Sequence, residues 1–138
     1  MLRKLLSLLA ITIAVIAAGQ VKAIPGGGNQ YRVRTNLTGA TIASGKAVYR
    51  ERVRGNGQIE QRFSIEVEDA NPGTVMAVAV NGVMFGMIVI NDLGIGELEY
   101  RTPAFNDDPN VDPIPDNFPH LIVGDSVTVG LLAGVFHS

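Results

Sequence analysis

The chain has 138 residues, is 46% hydrophobic and 17% charged, and contains neither cysteine nor tryptophan. The lack of cysteine excludes disulfides, thiol catalysis and cysteine-bound zinc. A formal net charge of −2 gives no global attraction to nucleic acid.

The first 23 residues have the three parts of a secretory signal. Arg3 and Lys4 make a positive start, Leu5 to Ala18 an apolar core, and Val21-Lys22-Ala23 places small residues where a signal peptidase cuts. The apolar core is shorter than the roughly 20 residues needed to cross hydrocarbon. We therefore expect cleavage after Ala23, a secreted or periplasmic protein, and no membrane span in the mature chain. Three of the eleven basic residues leave with the signal, so eight remain against thirteen acids, a net charge near −5. Seven of those eight lie between Arg32 and Arg62, and eleven of the acids lie from Glu66 onward.

Residues 24–30, with Gly26-Gly27-Gly28, read as a flexible start, and 31–138 as one domain. The first clear element is a hairpin around Gly55-Asn56-Gly57. A three-residue loop there sets Val53 opposite Ile59, Tyr49 opposite Phe63 and Ala47 opposite Ile65 on one side. Arg52 then faces Glu60 and Lys46 faces Glu66 on the other, with Arg50 against Arg62.

Asn71-Pro72-Gly73 is a turn, and the run Val75 to Ile90, broken only at Asn81-Gly82, follows it. Asn-Gly between β-rich runs marks a two-residue hairpin, because both turn positions need positive φ. A regular ribbon places Val80 opposite Val83, Val78 opposite Phe85 and Met76 opposite Met87. Its second side, with Ala79 opposite Met84, Ala77 opposite Gly86 and Val75 opposite Ile88, is flat and apolar. That side is either covered by a loop or sheet of the same chain, the simpler reading, or open to a partner.

Gly96 to Arg101 alternates as a strand. Thr102 to Pro119, with five of the seven prolines, reads as a long surface loop, and Ser126 to Val129 and Leu131 to Phe136 as closing strands. Seven or eight short strands without helical spacing imply an all-β, antiparallel β-sandwich of immunoglobulin-like or related Greek-key type.

Chemistry-bearing residues are few. His120 and His137 stand outside any nucleophile–base pattern, so no enzymatic activity or resident cofactor is expected. Asp107, Asp108, Asp112 and Asp116 offer the hard oxygen ligands that calcium prefers, without EF-hand spacing. Arg50, Arg52 and Arg54 alternate along one side of a strand and could meet an anionic glycan. Ala77, Ala79 and Gly86 form the flat side and suit a protein partner or self-association.

The succession "SGKAVYRER", "RFSIEVEDANPGT", "VNGVMFG", "GIGELEYRT" and "VGDSVTVG" resembles a group of small, exported, uncharacterised bacterial β-domains. They share a Gly-Lys-Ala start, a Pro-Gly-Thr turn, an Asn-Gly hairpin and a Gly-Asp turn. The likeness spans Leu37 to Phe136 and implies a β-fold, with no catalytic residues to carry over. More distantly, "LTGATIASGKAVY" is similar to the opening of CHRD domains. The chain departs from them at Val80-Asn81-Gly82, where those domains carry a histidine-containing segment.

Overall fold

The computed structural model describes residues 23–24 and 28–138, so residues 1–22 of the expected signal lie outside the described residues. Ten strands follow in order: β1 (Ala23–Ile24), β2 (Gly28–Leu37), β3 (Ser44–Val53), β4 (Ile59–Glu68), β5 (Val75–Val80), β6 (Val83–Val89), β7 (Gly96–Arg101), β8 (Asp112–Pro113), β9 (Ser126–Val129) and β10 (Leu132–Val135). One 3₁₀ turn, Pro103–Phe105, is the only helical element among the described residues.

Two compact units are present. The described residues up to Tyr31 form one with Glu51–Ile59, and Arg32–Arg50 with Glu60–Ser138 form the other. The tip of the long β3–β4 ribbon, Glu51–Ile59, thus belongs to the first unit and its base to the second. In the first unit Ala23 pairs with Asn29 and Ile24 with Gly28, so the stretch expected to be flexible carries a short strand pair at its described positions. The tip closes as the sequence implies. The Arg54 amide donates to the Gln58 carbonyl and the Gly57 amide to the Arg54 carbonyl, both at 2.8 Å, with Gly57 at φ 84°.

The larger unit is the expected β-sandwich. One sheet runs β2-β3-β4-β7-β8 and the other β10-β9-β5-β6. The β4–β7, β5–β6, β5–β9 and β9–β10 pairs are antiparallel, and β7–β8 is a two-residue parallel pair through Tyr100–Asp112 and Arg101–Pro113. Along one side the sheets are joined by backbone bridges from Arg34 to His137 and from Thr38 to Ala133. Gly134 permits this approach, since a Cβ there would lie 2.5 Å from the Asn36 carbonyl oxygen.

Alternation supplies the core. Val33, Leu37, Ala47, Tyr49, Phe63, Ile65 and Val67 point inward from the first sheet, and Val78, Val80, Ile88, Val127, Val129 and Leu132 from the second; all are buried. The expected burial of Tyr49, Phe63, Ala47 and Ile65 on one side is observed. Fully burying one side chain of this size contributes about 1.5–3 kcal/mol.

The segment Thr102 to Pro119 corrects the sequence reading. It carries four buried apolar side chains with its neighbour, Val111, Ile114, Phe118 and Leu121, and is not a solvated loop. Phe118 is the centre of an aromatic cluster. Its ring lies 4.8 Å from Phe63, 4.9 Å from Phe85, 6.1 Å from Tyr49 and 6.5 Å from Tyr100.

The β5–β6 hairpin has the expected tip, with Asn81 at φ 49° and Gly82 at φ 82°. Asn81 also fixes the tip to β9, accepting from the Ser126 amide through its side chain and donating its own amide to the Ser126 carbonyl, each at 2.9 Å. Beyond the tip the ribbon is not regular. Val80–Val83 and Ala79–Met84 pair as expected, but Val78 pairs with Gly86, Ala77 with Met87, Met76 with Ile88 and Val75 with Val89. Phe85 is therefore an extra residue, a β-bulge that shifts the rest of β6 by one.

Tyr100 explains that bulge. Its hydroxyl donates to the Phe85 carbonyl at 2.6 Å, satisfying a backbone group that the ladder has lost. Burial and then Asp112 hold the Tyr100 phenol above its ordinary value of 10.0. The protonated form favoured by folding is the form that donates. Stability from this group is present below the unfolded tyrosine value of about 10 and falls as pH rises through the higher folded one. Tyr100→Phe should cost about 1–2 kcal/mol in urea unfolding at neutral pH and should reduce the loss of stability above pH 10. An unchanged midpoint would remove the hydroxyl from this account.

Candidate interaction surfaces

The bulge decides which residues face out of the second sheet. Val78 and Val80 point into the core, so Val75, Ala77 and Ala79 point out from β5, with Met84, Met87 and Val89 from β6. Ser126 and Thr128 on β9 and Ala133 and Val135 on β10 complete the outer face. One row crosses all four strands as Ala133, Thr128, Ala79 and Met84. None of these side chains is charged. Met87 is 56% and Val89 66% exposed, so no loop or sheet among the described residues covers the flat side.

The outer face of the other sheet is the opposite in character. It presents Arg32 and Arg34 from β2, Lys46 and Arg50 from β3, Arg62 and Glu66 from β4, and Glu97, Glu99 and Arg101 from β7, while Glu60 of β4 is buried. Directly across β4 and β7, Arg62 meets Arg101 and Glu66 meets Glu97, like charges in both cases. The relief is diagonal: Arg62 pairs with Glu99, and the Arg101 Nε lies 3.4 Å from a Glu60 oxygen. Such partly exposed pairs contribute about 0–1 kcal/mol each, so they make a solvated lattice rather than a source of stability.

Ala77 and Ala79 lie on the uncharged face as expected. Gly86 does not; the bulge moves it opposite Val78, where a Cβ would stand 2.5 Å from the Tyr100 hydroxyl, so this glycine makes room for Tyr100. Arg50 is exposed in the larger unit. Burial, then Arg32 and Arg62, push its guanidinium below the ordinary value, with Glu99 opposing. Arg52 and Arg54 belong to the hairpin-tip unit, so the expected row of three arginines is shared between two units.

Asp107, Asp108, Asp112 and Asp116 are exposed, and among the described residues no three acidic or histidine side chains converge as metal ligands. Asp108 instead shapes the loop, its carboxylate accepting from the Asn110 amide at 2.9 Å. His120 packs edge-on to Tyr49 at 6.2 Å, and the His137 backbone pairs with Arg34. Sequence reasoning placed Met84 on the flat side with Ala77 and Ala79 but missed Met87, Val89, Thr128, Ala133 and Val135 as members of the same face. The signal that marks them is the absence of any charged residue in 70–91 and again in 126–135.

The larger unit is thus a two-sheet, all-β sandwich with one charged and one uncharged outer face. No family model, no curated protein and no solved structure matches this chain. No helix among the described residues is long and apolar enough to cross a membrane.

Proposed function

We propose that the chain is an exported, non-enzymatic association module whose β10-β9-β5-β6 face packs against a protein, and that the partner is a second copy of itself. The observation that carries this reading is the uncharged outer face. The water-facing side of a sheet is ordinarily polar, and this one holds exposed Met84, Met87, Val75, Val89 and Val135 with no charge among them.

The edge of the same sheet favours a second copy. β6 ends the sheet and runs Val-Met-Phe-Gly-Met-Ile-Val, without the lysine or proline that blunts an open edge. Two such edges related by a two-fold axis pair antiparallel and are complementary by symmetry. The site of action on this reading is the periplasm, the cell envelope or the exterior. Hydrogen exchange tests the edge: amides of Gly86 to Val89 should exchange about tenfold more slowly in concentrated than in dilute protein. Equal rates at both concentrations would remove β6 from the interface.

A further inference from the structure

The charged face carries a feature independent of the association face. Beside β2 and β3 lies a groove of about 320 Å³ lined by Arg32, Arg34, Thr35, Asn36, Lys46 and His137, among others, and no carboxylate of the described residues lines it. Of the acids on this sheet, Glu99 pairs with Arg62 and Glu60 with Arg101, while Glu66 and Glu97 line a different groove. Arg32, Arg34, Lys46 and Arg50 make no ion pair with any described residue. Lys46 also borders an adjacent groove with Glu66, Glu68 and Glu97, so part of its charge is offset from that side. Arg32 and Arg34 have no such neighbour in their groove.

Cations held together on a rigid sheet with no acid among them repel one another, and an anion relieves that repulsion. The depressed guanidinium of Arg50, whose causes after burial include Arg32, is the same repulsion seen from the next strand. Guanidinium groups also match oxyanions in geometry, since each offers parallel N–H donors. Along β2 the two arginines are two residues apart on one face, about 7 Å by strand rise, a repeat that suits successive charges on a chain. We propose that this groove binds oxyanion groups, sulfate, phosphate or carboxylate, carried on a linear anionic polysaccharide, with Arg32 and Arg34 as the principal contacts.

The site differs from the Arg50/Arg52/Arg54 row that the sequence suggests, and the test separates them. Purified protein is passed over immobilised dextran sulfate and over uncharged dextran, and is melted in sodium sulfate and in sodium chloride at equal ionic strength. Retention by dextran sulfate alone is expected. It should weaken at least about tenfold in the Arg32→Gln/Arg34→Gln double variant and stay within about twofold in Arg52→Gln, which is outside the groove lining. Stabilisation by sulfate that the double variant abolishes, without retention by the polymer, supports the groove and assigns it to a free oxyanion. A correctly folded double variant that binds either probe as tightly as the parent overturns the proposal, as does a parent that binds neither. Far-UV circular dichroism establishes folding, which these exposed outward side chains should leave intact.

Discussion

Phe118→Ala should be the most damaging single substitution, lowering stability by about 3–5 kcal/mol in chemical denaturation. The residue is 6% exposed and its ring meets Phe63 and Phe85 within 5 Å, with Tyr49 and Tyr100 farther out. Phe63, Tyr49 and Tyr100 come from the first sheet and Phe85 from the second. One side chain from a loop therefore fills the space between both layers. Removing it leaves a cavity lined by rings that cannot collapse inward without disturbing the Phe85 bulge and its bond from Tyr100. A domain of this size has a total stability on the order of 5–15 kcal/mol, so much of the margin would go. Phe118→Leu should recover more than half of the loss. A Phe118→Ala protein as stable as the parent would mean that the loop is not part of the core.

The second large effect concerns assembly rather than folding. Ala77→Asp combined with Ala79→Asp should convert an associated species to monomer while leaving the melting temperature of the isolated fold within a few degrees. Ala77 is exposed and Ala79 half-buried on the uncharged face, in line with Met87 and with Met84 and Thr128. Two carboxylates there would be desolvated by any partner packed on that face, at a cost of several kcal/mol each when unpaired. In the monomer they point to water at little cost. A doubly substituted protein that is folded and still assembled would sink the proposed interface.

The different fates of neighbouring residues show what sequence can and cannot carry. Asn81-Gly82 was legible because a two-residue turn demands positive φ at both positions, and both have it. The burial of both Tyr49 and Phe63 was legible because alternation with charged neighbours leaves one sensible inward side. Phe118 was not, since a single plugging ring in a proline-rich segment has no period to detect. Nor was the bulge at Phe85, which is stabilised by the hydroxyl of Tyr100 on another strand. From that one-residue shift came the wrong side for Gly86. The flat face itself was visible as composition, and Ala77 and Ala79 were placed on it, but its continuation through Thr128 and Ala133 needs the β5–β9 and β9–β10 pairings. Arg32 and Arg34 carry no sequence signal of a shared groove for the same reason. Their groove forms only where the C-terminal His137 comes back beside β2.

Light scattering coupled to size exclusion, on the purified protein over a hundredfold range of concentration with calcium and with chelator, tests the central claim most directly. The association reading predicts a species larger than one chain whose mass rises with concentration and is the same in both buffers. A single monomeric mass at every concentration would contradict it.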